Sequence, residues 1–79
     1  MKYYVNSVEQ IYGDEESTYS EYAKSTKYDD YSSALTAYYK KLSDVSAAIG
    51  STHAYMNINI TNSIGGVVKY DSVGSYVES

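Results

Sequence analysis

Between residues 30 and 49 the apolar positions recur at the helical period. Tyr31, Leu35, Tyr38, Leu42, Val45 and Ile49 are separated by four, three, four, three and four residues, and Ala34 and Ala48 widen the stripe. That spacing predicts one amphipathic helix with its apolar face turned towards a core. Asp29 or Asp30 can cap its N-terminus and favours the positive end of the helix dipole. Gly50 stands where a left-handed residue ends a helix. Lys40 and Lys41 fall on the outer side. The stripe lasts under three heptads, which favours a helix lying on a sheet over a coiled coil.

On either side of this helix the period shortens to two. In residues 53–61, Ala54, Met56, Ile58 and Ile60 point one way, and Tyr55, Asn57, Asn59 and Thr61 the other. This is the pattern of a half-buried strand. Residues 62–66 hold paired glycines and read as a turn. Residues 67–71 form a last strand, and the tail 72–79 either extends that strand or drapes over an edge. Residues 3–12 are rich in strand formers. Their apolar residues split between two parities, Tyr3, Val5 and Ile11 against Tyr4, Val8 and Tyr12, which a bulge would reconcile. Gly13 to Ser17 is polar and reads as a hairpin loop.

Residues 18–28 admit two readings. Thr18-x-x-Glu21 fits a capping box and would start a helix. The segment is also dense in Ser, Thr and Tyr and has no Leu, which makes a second strand the preferred reading. The expected architecture is a single α+β domain over residues 1–79, in the order ββαββ. Its small antiparallel or mixed sheet carries one helix, about residues 30–49, against Met56, Ile58 and Ile60. One helix covers one face. The other face, with Tyr55, Asn57 and Asn59, is a candidate surface for a partner or for self-association.

Composition narrows the function. The 79 residues contain no Cys and a single His, His53. That excludes a disulfide framework, a zinc ribbon, a thiol nucleophile and a multi-histidine metal site. Ser51 and Thr52 beside His53 do not make a catalytic triad. Gly65-Gly66 lacks the phosphate-loop pattern, and the acidic runs lack calcium-loop spacing. No catalytic, cofactor-binding or metal residues are therefore assigned, and the expectation is a protein that binds without catalysis. No segment approaches the ~20 apolar residues of a membrane span, and no signal peptide is evident, so neither a membrane nor a cofactor is expected. The cytoplasm is the expected compartment.

Net charge is −4, from ten acids and six lysines, with no Arg. Without the forked guanidinium contacts that nucleic-acid readers favour, direct binding of nucleic acid is not expected. Residues 9–30 hold seven acids against Lys24 and Lys27. Within them Asp14, Glu15, Glu16, Glu21, Asp29 and Asp30 form a candidate acidic patch for docking on a basic surface. Twelve Tyr stand where Phe and Trp are absent, so Tyr must serve in the core and at any interface.

The run from Ala34 to Leu42, followed by Met56-Asn57-Ile58-Asn59-Ile60 and by Ile64 to Asp71, resembles small orphan proteins of phages and mobile elements of Gram-positive bacteria. In size, acidity and build these are similar to several anti-CRISPR inhibitors. The resemblance covers roughly residues 30–71 and transfers no site residues. It implies an inhibitor or regulator, working in the cytoplasm of a host bacterium, that docks on a basic nucleic-acid-handling protein. The alternative is a small phage structural or assembly accessory that self-associates, with a homodimer as its simplest form. A sponge for a small ligand stacked on Tyr is disfavoured by the lack of a cationic pocket.

Overall fold

A computed structural model describes residues 1–78 of the chain. Its elements are β1 (Tyr3–Tyr12), β2 (Tyr19–Tyr28), α1 (Tyr31–Ala48), β3 (His53–Asn62) and β4 (Val67–Gly74). The fold is α+β in the order ββαββ. The four strands form one open antiparallel sheet in the order β2-β1-β3-β4. The two local hairpins thus sit side by side, joined at the centre by β1 against β3, and α1 carries the chain across between them.

Residues 19–28 are a strand. All ten residues of β2 pair in register with β1, from Tyr12 opposite Tyr19 to Tyr3 opposite Tyr28. The capping box is not used. Thr18 instead closes the preceding loop, its hydroxyl donating to the Glu15 carbonyl at 2.6 Å. A helix here would have had no Leu to bury, whereas a strand places Thr26 and Tyr28 beside Val5 and Tyr3 on the covered face.

α1 begins where expected. Asp30 is the N-cap, accepting from the Ser33 backbone N–H at 2.7 Å and the Ser33 hydroxyl at 3.0 Å. At the other end Ile49 is the C-cap and Gly50 takes the left-handed conformation, φ +87°. The helix lies over the sheet and buries Ala34, Tyr38 and Val45 against Met56, Ile58 and Ile60. Leu35, Leu42, Ile49, Tyr3, Val5, Tyr28 and Val73 close the margins. Each fully buried aliphatic side chain contributes about 1.5–3 kcal/mol.

Tyr38 occupies the place that Phe takes in most cores. It is fully buried, and its hydroxyl donates to the Asp71 carboxylate on β4. Burial, and then that hydrogen bond, push the phenol pKa well above its ordinary value. The buried hydroxyl therefore has its partner, which removes the usual penalty for a polar atom in a core.

The two parities of β1 are not reconciled by a bulge. Tyr3, Val5, Ser7 and Glu9 lie opposite Asn62, Ile60, Ile58 and Met56 and face the helix. Tyr4, Asn6, Val8 and Gln10 face away. A register shift does occur between Gln10 and Ile11, at the end of the pairing with β3. Val8 is left 42% exposed on the open face.

Candidate functional site

The face turned away from α1 is built in rows across the sheet. Ser25, Asn6, Asn59 and Tyr70 form one row, and Ala23, Val8, Asn57 and Ser72 the next. Asn6 anchors the first row. Its amide nitrogen donates to Asn59 Oδ1 at 2.8 Å and to Thr61 Oγ1 at 3.1 Å, and its oxygen accepts from Ser25 at 2.6 Å. Between these rows lies a shallow depression of about 360 Å³, with Val8 and Ala23 among its lining and Asn57 and Asn59 along one side. Its lining is uncharged apart from Lys24, which stands opposite Ser7 and belongs by register to the helix face.

Tyr55, Asn57 and Asn59 all lie on this face, as the alternation implied. The third row is not open. Gly74 turns the chain, and residues 75–78 cross the sheet face as a strap. The Ser75 N–H donates to the Ala54 carbonyl at 3.1 Å. The Tyr76 ring packs edge-on against Tyr55, centroids 5.7 Å apart, and its hydroxyl donates to Glu21 on β2. The buried Gln10 amide grips the strap from below. Its nitrogen donates to the Val77 carbonyl at 2.7 Å and its oxygen accepts from the Val77 N–H at 2.8 Å. A side-chain amide thus mimics one rung of a strand ladder. Ser72, Val73 and Gly74 thus extend the last strand beyond residue 71, as one reading of the tail expected, and residues 75–78 lie across the face and not over an edge.

The six candidate acids do not converge. Asp14, Glu15 and Glu16 sit in the loop between β1 and β2. Asp29 and Asp30 sit at the far end of β2, which spans roughly 30 Å at ~3.3 Å per residue. Glu21 lies between them, held by Tyr76. Asp29 is paired with Lys2 at 2.8 Å, an exposed contact whose hydrogen bond holds the Asp29 carboxyl below its ordinary range. Asp30 is committed to the helix cap. Of the six, Asp14, Glu15 and Glu16 are the ones whose carboxylates have neither an ion pair nor a side-chain hydrogen bond among the described residues. That loop is fixed in shape. The Gly13 N–H donates to the Thr18 carbonyl at 2.8 Å, the Thr18 N–H to the Glu15 carbonyl at 3.2 Å, and Ser17 is left-handed at φ +64°.

Glu9 does not belong with the acids of the loop. It lies under the helix, with a side chain 10% exposed, bridging Lys41 Nζ at 3.0 Å and His53 Nε2 at 2.9 Å. Lys41 is therefore not on the outer side of α1; the strand parity that turns Glu9 inward draws it over the sheet. His53 is half-buried and not a free surface residue. With its proton on Nε2, the ring donates to Glu9 and accepts from the Thr52 hydroxyl through Nδ1, at 3.0 Å. Hydroxyl, imidazole and carboxylate thus stand in a line, but the depression on the open face is not lined by Thr52 or His53. The cluster ties β1, α1 and the start of β3 together.

Burial alone would raise the Glu9 pKa, but the hydrogen bonds from Lys41 and His53 outweigh it and hold the carboxyl below its ordinary value. A lowered folded-state pKa contributes stability that is full above the unfolded carboxylate range and is lost as pH falls through the folded value. Urea midpoints should therefore decline from about pH 5 downwards. Glu9→Gln should cost about 1–3 kcal/mol at neutral pH and flatten that acid limb. An unchanged limb in Glu9→Gln would show that other carboxylates govern it.

Comparison with models of known families, with curated proteins and with solved structures gives no match to this chain. Among the described residues, no helix is long and apolar enough to cross a membrane, and no three His, Cys, Asp or Glu side chains stand together as a metal site would need.

Proposed function

We propose that this chain is a non-catalytic binding protein that docks on a basic surface of a protein partner through the loop between β1 and β2. One observation carries this reading: Asp14, Glu15 and Glu16 are presented, without ion pairs among the described residues, on a loop whose own hydrogen bonds fix its shape. A fixed, unneutralised negative loop loses little conformational entropy on docking and steers a basic partner by its field. In the form the sequence resemblance implies, the partner is a nucleic-acid-handling effector of a host bacterium and the outcome is its inhibition. The neutral amides of the open face then serve as a second contact, beside the strap.

The test compares the wild-type chain with the triple variant Asp14→Lys, Glu15→Lys, Glu16→Lys. The loop is exposed, so circular dichroism should match between the two. Against a partner captured from nuclease-treated host lysate, the variant should bind at least about tenfold more weakly at low salt. The difference should shrink as salt rises. Equal affinity of the two proteins, or a wild-type complex indifferent to salt, would remove the loop from the interface.

A further inference from the structure

The sheet has two edges, and they are dressed differently. β2 carries Glu21, Lys24 and Lys27 along its length, and charged side chains, lysine above all, are the ordinary protection of an edge strand. β4 and the turn leading into it expose Ile64 at 79%, Val67 at 64%, Val68 at 42% and Tyr70 at 74%. Four large apolar side chains within seven residues of a 79-residue chain make this the more apolar edge, with Lys69 and Asp71 as its charged residues and a register shift where Val67 and Val68 meet Thr61. The strap leaves this edge free, because Gly74 turns residues 75–78 over the sheet face instead.

The backbone of β4 fixes which groups this edge offers. The Ser75 N–H donates to the Ala54 carbonyl. By alternation along the ladder, Val73, Asp71 and Lys69 bond inward to β3. Tyr70 and Ser72 then turn their N–H and C=O groups outward.

We propose that a second copy of this chain pairs with β4, antiparallel and two-fold symmetric about Tyr70, to make a continuous eight-stranded sheet. In that register the two Tyr70 residues exchange backbone hydrogen bonds, and Val68 lies opposite Ser72. Lys69 of each copy then lies opposite Asp71 of the other, on the helix face. The charges are thus complementary twice, by symmetry alone. A two-fold pairing about Lys24 at the other edge sets Lys24 against itself. The helices do not obstruct the joint. α1 packs mainly on β3 and β1, and three strand spacings of about 4.8 Å would separate β3 from its copy. That exceeds the 8–10 Å at which helices touch. This dimer does not depend on the acidic loop, which it leaves at the two outer ends of the sheet.

The absence of cysteine makes the register directly testable. A hydrogen-bonded antiparallel pair holds its Cα atoms about 5.5 Å apart, within reach of a disulfide. Tyr70→Cys should therefore cross-link to a dimer under mild oxidation, and the control Tyr22→Cys on β2 should not. Sedimentation equilibrium of the wild-type chain should give twice its 8.8 kDa mass. Val68→Lys with Tyr70→Lys, both at exposed positions, should return the monomer, raising the dissociation constant at least about a hundredfold. The fold of the variants is checked by circular dichroism, and the triple acidic-loop variant should remain dimeric. Three results would each overturn the proposal: a wild-type monomer at the highest soluble concentration, a dimer that survives the two lysines, or cross-linking as fast through Tyr22→Cys as through Tyr70→Cys.

Discussion

Tyr38→Ala should leave the domain barely folded at physiological temperature. The ring is fully buried between α1 and the sheet, and truncating a buried aromatic costs about 3–5 kcal/mol. A domain of this length has roughly 4–12 kcal/mol in total, at about 0.05–0.15 per residue. Truncation also leaves the Asp71 carboxylate without the hydroxyl that now donates to it. Tyr38→Phe separates the two contributions. It keeps the ring and removes only the hydrogen bond, so it should cost about 1–2 kcal/mol and lower Tm by roughly 5–15 °C. Asp71→Asn placed in the Tyr38→Phe background should add less than it does alone, because the partners are already separated. Thermal and urea unfolding of the wild-type chain and these four variants measures all of this. Strictly additive costs would mean that Asp71 is held by something other than Tyr38.

Gly74→Ala should be the most damaging change among the small residues. Gly74 sits at φ +74°, where a side chain is strained, and a Cβ there would collide with the backbone carbonyl oxygen of Ala54 and crowd Ile49. The left-handed conformation costs about 1–2 kcal/mol, and forced overlap in a packed region about 1–3 more. The chain can escape the collision by releasing the strap, and the signs of release are specific. The Val77 amide, now bonded to Gln10 Oε1, should lose its protection from hydrogen exchange. The Gln10 side chain would then be left without either of its partners. If Gly74→Ala lowers Tm by ~10 °C or more while Val77 remains protected, the strain is absorbed within β4 and not by the strap.

Much of the fold was legible because two periods carry it. The helical stripe from Tyr31 to Ile49 and the alternation from Ala54 to Ile60 are strong signals, and the structure uses both as written. Residues 18–28 were harder, since β2 is an edge strand with little to bury and a cap-like Thr18. Its strand character is settled by pairing with β1, a long-range fact that local pattern does not contain. The open face was legible from Tyr55, Asn57 and Asn59. The strap that closes one end of it was not. Its signals were a glycine inside a strand-like run and a Gln10 whose partners lie 67 residues away. Glu9 was misplaced for a related reason. Charge counting along the chain assigns it to the acidic stretch, while strand parity turns it inward to meet Lys41 and His53. The acids of residues 14–16 and 29–30 looked like one patch because they are near in sequence, and a ten-residue strand drives them to opposite ends.

The strand order also sets how the chain must assemble in time. Each hairpin closes over a short loop, and α1 forms within its own eighteen residues, so these pieces cost little loop entropy to make. None of them has a core alone. Met56, Ile58 and Ile60 are enclosed only once β1 has docked on β3, a pairing that joins residues 42 to 59 positions apart in the chain. Closing that seam restricts the chain before the burial that compensates for it. The barrier to folding therefore lies at the central seam, and the rate belongs with mixed α/β domains, slower than helical bundles of similar size. Substitutions along β1 and β3 alter how fast the molecule forms. Those at the outer strands chiefly alter how long it lasts.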